Sequence, residues 1–212
     1  MPAKKSSRPE SLPIPTDAAV SQRIVDAARK HFLSHGFRAV TMDDLAKELG
    51  MSKKTFYAFF SSKTALVQAV MEQKVESVDA DLGSIVSRKH VSFLQALESM
   101  LICVQRHTEE VRPSFIRDIR RDAPELFEIF AKRRAVMMET HFGRLLRDGR
   151  RAGMIRHDIP VKMIIEVLLG ATAAIMNPIK MEELGITPKT GFSAILRLVL
   201  EGALTDKARP KS

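Results

Sequence analysis

Thr41-Met42-Asp43-Asp44-Leu45-Ala46-Lys47-Glu48-Leu49-Gly50-Met51-Ser52-Lys53-Lys54-Thr55-Phe56-Tyr57-Ala58-Phe59-Phe60 reads as two short helices around a glycine turn. Thr41 offers a hydroxyl to an early N–H, and Asp43 and Asp44 suit the positive end of a helix dipole. Leu45 and Leu49 form an apolar stripe, and Ala46 between them is small enough for a second helix to cross closely. Gly50 supplies the turn, and Ser52 caps the helix that opens with Lys53-Lys54. At about 100° per residue, Phe56 and Phe60 share the inward face of that helix. Lys54, Thr55 and Ala58 lie opposite, with Tyr57 and Phe59 on the flanks. Helix, tight turn and helix with a flat cationic outer face fit a helix-turn-helix whose second helix enters a DNA major groove. An αα-hairpin with a lysine-rich solvated face fits the same twenty residues.

On the N-terminal side, Ile24, Ala27, Ala28 and Phe32 repeat at helical spacing before Gly36. On the C-terminal side the same periodicity continues to about residue 204. Pro113, Pro124, Pro160, Pro178 and Pro188 fall at the junctions between periodic runs. The spacing predicts about nine helices, near 21–35, 42–49, 53–60, 63–87, 91–108, 114–121, 124–151, 160–177 and 189–204. No run alternates with the two-residue period of a strand, so the expected class is all-α. Residues 1–19 carry four prolines with Lys4, Lys5 and Arg8, and are expected to form a disordered basic tail. Such a tail either reaches a minor groove or simply keeps the chain in solution. Residues 20–66 make the helix-turn-helix module, and 67–212 a larger bundle.

The 212 residues carry 34 Lys and Arg against 25 Asp and Glu, a net charge of +9 that favours a polyanionic partner. The excess is denser at the N-terminal end, where residues 1–63 hold 11 basic and 6 acidic side chains. The single cysteine, Cys103, excludes an internal disulfide and points to a reducing compartment. The most apolar run, 167–176, falls short of the roughly 20 residues that span a bilayer, and no secretory leader is visible. A cytoplasmic protein with no membrane partner is expected. No G-x-S-x-G, Walker loop, H-E-x-x-H or di-iron carboxylate pattern marks an active site, so no catalytic residue, metal or cofactor is expected. The competing classes are an all-α enzyme and a protein that lies on a membrane surface.

Ile24, Ala27-Ala28, Phe32 and Gly36-Phe37, then Thr41, Leu45-Ala46 and Leu49-Gly50-Met51-Ser52, then Thr55-Phe56-Tyr57, Phe60, Lys63 and Leu66 together resemble the DNA-binding domain of the TetR family of bacterial regulators. The resemblance covers residues 21–66; the remainder is similar to that family only in length and helical character. It implies that Thr41, Lys53, Tyr57 and Lys63 contact phosphates, that Lys54 and Thr55 read bases, and that a homodimer binds a palindromic double-stranded operator; Ser52, the cap of the second helix, is counted with the DNA-binding residues. Two positions depart from the family pattern. Phe59 stands where a His or Tyr often donates to a phosphate, and Lys53 stands where a small residue is common. Lys53-Lys54 therefore adds charge, and lysine can donate to guanine O6 and N7.

In the bundle, Ile164, Val167, Leu168, Ala171 and Ile175 repeat on one helix, and Ile195, Leu198, Val199 and Gly202 on another. With small residues interspersed, these two helices are the expected dimer surface, a four-helix interface across two subunits; a purely intrachain core is the alternative. Met100, Cys103, His107, Phe115, Phe127, Phe130, Met137, Met138 and Phe142 are the candidate pocket for a small apolar effector, since soft and aromatic side chains adapt to irregular ligands. Ordinary core packing accounts for each of them singly. The Arg112, Arg117, Arg120, Arg121 run reads as a carboxylate site or a solvated face. His31 and His35, four apart, suit the C-terminal dipole of their helix better than a metal. The expected function is a ligand-responsive regulator, a repressor released from DNA by its effector.

Overall fold

The computed structural model describes residues 16–205, so the tail expected over 1–19 lies, up to residue 15, outside the described residues. Ten helices follow one another: α1 (Asp17–His35), α2 (Met42–Glu48), α3 (Lys53–Phe59), α4 (Lys63–Val86), α5 (Phe93–Glu109), α6 (Pro113–Asp122), α7 (Pro124–Arg151), α8 (Val161–Ile175), α9 (Pro178–Glu183) and α10 (Pro188–Ala203). Two differ from the sequence expectation. α1 starts four residues early because the Thr16 hydroxyl accepts the Ala19 N–H at 3.3 Å, which makes Asp17–Ala19 helix rather than tail. α9 was not anticipated; it has six residues, too few to show a period, and is held by the Asn177 side chain accepting from the Lys180 N–H. The sole extended pairing among the described residues is an isolated bridge, Ile155 to Leu204, which ties the end of α10 to the α7–α8 loop. No described helix is long and apolar enough to cross a membrane.

Two apolar cores sit along the molecule. The first gathers Ile24, Ala28 and Phe32 of α1, Leu45 and Ala46 of α2, Phe56 of α3 and Leu66, Val67 and Val70 of α4. It continues past residue 66 into the bundle's own elements, through Phe115 and Ile119 of α6 and Leu126 and Phe130 of α7. The second joins the distal half of α4 (Leu82, Ile85) to α5, α7, α8 and α10. At about 1.5 Å per residue the 24 residues of α4 run some 36 Å, so one rigid rod contributes to both cores. Its capping is local: the Ser62 hydroxyl accepts from Ala65 N–H.

The N-terminal module, α1 to α3, is the head of the molecule, and it is also stitched to α6 by polar contacts. Gly36 adopts φ 90°, and a side chain there would press on Asp118 and Ser114 of α6. The buried Asp118 carboxylate accepts the Arg38 backbone N–H at 3.2 Å, and the Arg38 guanidinium donates twice to Asp122, at 2.8 and 3.1 Å. The Arg38 and then the Arg121 guanidinium hold the Asp122 carboxyl down at about 2. A carboxylate whose acidity rises on folding stabilises the fold above its unfolded value and stops doing so as pH falls through the folded one. Asp122→Asn should therefore flatten the acid limb of the melting temperature between about pH 4 and about pH 2, leaving the neutral-pH fold intact. An acid limb of unchanged slope would show that this pair does not join head to bundle in solution.

Candidate nucleic-acid interface

α2 and α3 are each too short to persist alone, and their ends are closely specified. The Thr41 hydroxyl accepts the Asp44 N–H at 3.1 Å and donates to the Asp44 carboxylate at 2.5 Å. α2 stops at a left-handed Gly50, φ 67°, whose N–H reaches the Lys47 carbonyl while the Met51 N–H reaches that of Ala46. This is a Schellman termination, which favours glycine because the positive φ costs it least. The Ser52 hydroxyl then accepts the Thr55 N–H at 3.1 Å, opening α3 at once. Phe56, with no solvent exposure, and Phe60 anchor α3 on the first core.

The outer face of α3 consists of Lys53, Lys54, Thr55, Tyr57 and Ala58, all exposed. Lys54 has no ion-pair or hydrogen-bond partner among the described residues. Tyr57 is 43% exposed, with its ring edge against Phe56. Phe59 is half-buried and packs on the first core, where an apolar ring belongs. The other expected contact residues are engaged inside the chain. The Lys53 ammonium lies 2.5 Å from the Asp43 carboxylate, which raises its pKa. Thr41 and Ser52 serve as helix caps, and the Thr55 hydroxyl lies 2.8 Å from that of Ser52. The Lys63 ammonium sits 4.4 Å from the centre of the Phe37 ring, a cation–π contact; burial pulls its pKa down. Among the described residues, Lys54 and Tyr57 are thus the side chains of this face whose polar ends hold no hydrogen bond or ion pair, Tyr57 acting on Lys53 only through space.

The bundle divides the candidate effector residues between the two cores. Met100, Cys103, Met137, Met138 and Phe142 meet in the second core. Phe115, Phe127 and Phe130 instead pack with the head, because α6 and the first turns of α7 lie against α1 and α4. They do not share a site with the others. His107 is buried, its Nε2 2.8 Å from Asp81 and its Nδ1 2.8 Å from the Lys74 ammonium. The Arg run is mostly spoken for: Arg117 and Arg121 flank Asp118, and Arg120 lies over the Phe127 ring. His31 pairs with Glu48 at 2.7 Å and stacks on His35. A groove of ≈ 340 Å³ opens between α4 and α7, lined by Val75, Asp79, Lys132, Arg133, Val136, Met137 and Thr140. Of these only Met137 was anticipated; the others lie within about a turn of one another on α4 or on α7, and nothing local shows that these two helix faces meet.

The expected dimer residues also divide. Ile164, Leu168 and Ile195 are buried in the chain's own second core, while Ala171, Ile175 and Val199 are half-buried against it. The outward face of α8 is instead Met163 (56% exposed), Val167 (49%), Gly170 and Ala174. On α10 it is Ala194, Leu198 (74% exposed) and Gly202. Nothing lies above Gly170 or Gly202 within 4 Å. Of the nine residues named on these two helices, Val167, Leu198 and Gly202 face outward.

Residues 24–70 match the family model described as bacterial regulatory proteins, tetR family. The HTH-type transcriptional regulator UidR of Escherichia coli K12 is 29% identical over 198 residues, covering 86% of this chain and 92% of that protein. Among solved structures, SmeT, the repressor of the Stenotrophomonas maltophilia multidrug efflux pump SmeDEF, superposes with a TM-score of 0.68 at 19% identity, covering 90% of this chain and 93% of that one. A SmeT–triclosan complex gives 0.67 at 18% identity over 92% and 96%. These structures share the all-helical fold, an N-terminal helix-turn-helix followed by a helical domain.

Proposed function

We propose that this chain, a helix-turn-helix transcriptional regulator of the TetR family, acts as a cytoplasmic homodimeric repressor on a palindromic operator, from which a small apolar molecule releases it. The observation that carries the DNA reading is the outer face of α3, where Lys54 and Tyr57 project from a helix fixed at its first turn by Ser52 and at its centre by Phe56. Lys54 is the base reader, suited to guanine O6 and N7. Tyr57 donates its hydroxyl to a phosphate, and Ala58 leaves the middle of the face low enough for close approach. Thr41, Ser52 and Thr55 act through the backbone geometry they set, and their hydroxyls can still share a bond with a phosphate oxygen. Lys53 and Lys63 reach phosphates by giving up Asp43 and the Phe37 ring. Two such helices on a dimer would enter successive major grooves about 34–36 Å apart.

Lys54→Ala and Tyr57→Phe separate the two roles. Lys54→Ala should cost about 1–3 kcal/mol and relax preference at one position per half-site. Tyr57→Phe should weaken all sequences alike by about 1 kcal/mol, one lost hydrogen bond. Competition binding on a panel of single-base operator variants measures both. Unchanged selectivity in Lys54→Ala removes it as a reader.

The effector reading rests on the soft lining of the second core and on α4, which belongs to both cores. A ligand wedged beside Met100, Met137, Met138 and Phe142, entering by the α4–α7 groove, would tilt the rod that carries the head. The similar SmeT fold has been solved with triclosan. Release needs the ligand to prefer the DNA-incompetent arrangement by about 1–3 kcal/mol.

A further inference from the structure

We propose that Asp81 of α4 and Cys103 and His107 of α5 form a binding site for a borderline-soft divalent metal ion such as zinc. Cys103 and His107 stand four residues apart on one helix and so share a face, and Asp81 meets them from the neighbouring helix. One ligand atom from each lies within 4.8 Å of the other two, and this is the only such trio of potential ligands among the described residues. Zinc holds sulfur, nitrogen and oxygen at about 2.0–2.3 Å in a tetrahedron, which sets ligand atoms roughly 3.3–3.8 Å apart. Side-chain rotation of about 1 Å reaches that spacing, opening the 2.8 Å Asp81–His107 contact and drawing in whichever pair stands further apart, and water takes the fourth position.

The surrounding charges fit the exchange. A thiolate and a carboxylate neutralise a divalent ion, and Arg106, now 2.6 Å from Asp81 and 61% exposed, can swing into solvent. Lysine ammonium only donates, so Nδ1 of His107 accepts from Lys74 and Nε2 carries the proton given to Asp81. Metal binding displaces the Cys103 thiol proton and moves the ring proton to Nδ1. There the Lys74 ammonium, itself only a donor, gives up Nδ1 and keeps its 2.5 Å contact with Glu110. The same hydrogen bonds exclude a nucleophilic reading of the trio: both ring nitrogens are taken by Asp81 and Lys74, leaving none to draw a proton from Cys103.

The site was not expected from the sequence, which brings Cys103 and His107 together but not Asp81. Cobalt(II) titrated into the full chain tests it. Cys103 is the only cysteine, so a thiolate-to-cobalt charge-transfer band in the near-ultraviolet, with the intense visible bands of tetrahedral cobalt, reports this site alone. The expected result is both features in the wild type and their loss on adding zinc. Cys103→Ser should abolish the charge-transfer band, and His107→Gln and Asp81→Asn should each weaken cobalt at least about tenfold, with unchanged far-ultraviolet circular dichroism. Only the faint absorption of six-coordinate cobalt in the wild type, or wild-type affinity in His107→Gln, overturns the site. If a variant fails to fold, the wild-type spectrum decides. DNA binding plays no part in this readout, so the site and the regulatory reading stand or fall separately.

Discussion

Leu198→Glu should yield a folded monomer that has lost its grip on a specific DNA site. Leu198 is 74% exposed in the single chain and sits between Ala194 and Gly202 on the outward face of α10. A glutamate there costs the isolated chain little, because water already reaches the position. Across a two-fold interface the same change appears twice, and each buried carboxylate carries an effective desolvation penalty of several kcal/mol. The dimer should therefore weaken by at least about a thousandfold, since each 1.4 kcal/mol is tenfold. One head alone holds one half-site, so operator affinity collapses with the dimer while weak, salt-sensitive binding persists. Sedimentation velocity and operator titration on the same sample measure both. A Leu198→Glu protein that stays dimeric places the interface elsewhere. By contrast, Ile164→Glu or Ile195→Glu should damage folding itself, because both side chains lie inside the second core.

Phe56→Ala should remove the DNA-binding surface without touching a single exposed residue. Phe56 has no solvent exposure and is the only buried residue of the seven in α3. Truncating a buried phenylalanine costs about 3–5 kcal/mol, partly transfer and partly the cavity left behind. A helix of this length has no independent stability, so the loss falls on its docking and hence on Lys54 and Tyr57. Hydrogen exchange should show the amides of α2 and α3 opening while those of α8 and α10 stay protected. Equal loosening of both regions would mean that the two cores melt as one. Phe56→Leu, which keeps most of the volume, should recover most of the binding.

Legibility in the sequence followed the range of the interactions. Thr41, Gly50 and Ser52 act on atoms three or four residues away, so the helix-turn-helix could be read from a twenty-residue stretch, and the capping bonds follow it closely. α8 behaves differently. From Val161 to Ile175 it is apolar nearly all round, and periodicity then says that it packs without saying which side packs inside the chain. Ile164, Val167 and Leu168 were consequently grouped on one surface, whereas the fold buries Ile164 and Leu168 and leaves Val167 outward beside Met163. The aromatic residues Phe115, Phe127 and Phe130 announced burial but not which of the two cores would receive them.

Contacts between distant segments left no local trace. Arg38 meets Asp122 across 84 residues, and Arg29 meets Glu110 across 81. Both join the head to the bundle, and they explain why the first core runs on beyond the module that sequence alone delimits. Glu110 also touches Lys74, which touches His107, so a continuous set of polar contacts leads from α1 to the candidate metal ligands on α4 and α5.

The central claim is that α3 reads duplex DNA as one half of a symmetric pair. Selection of bound sequences from random duplexes by the purified protein, at about 150 mM salt so that phosphate-only binding is suppressed, tests it most directly. The predicted result is an enriched palindrome whose half-sites lie about one helical turn, or a multiple of it, apart, with one base position per half-site losing its preference in Lys54→Ala. Recovery of no preferred sequence, or of a single unpaired half-site, would contradict it.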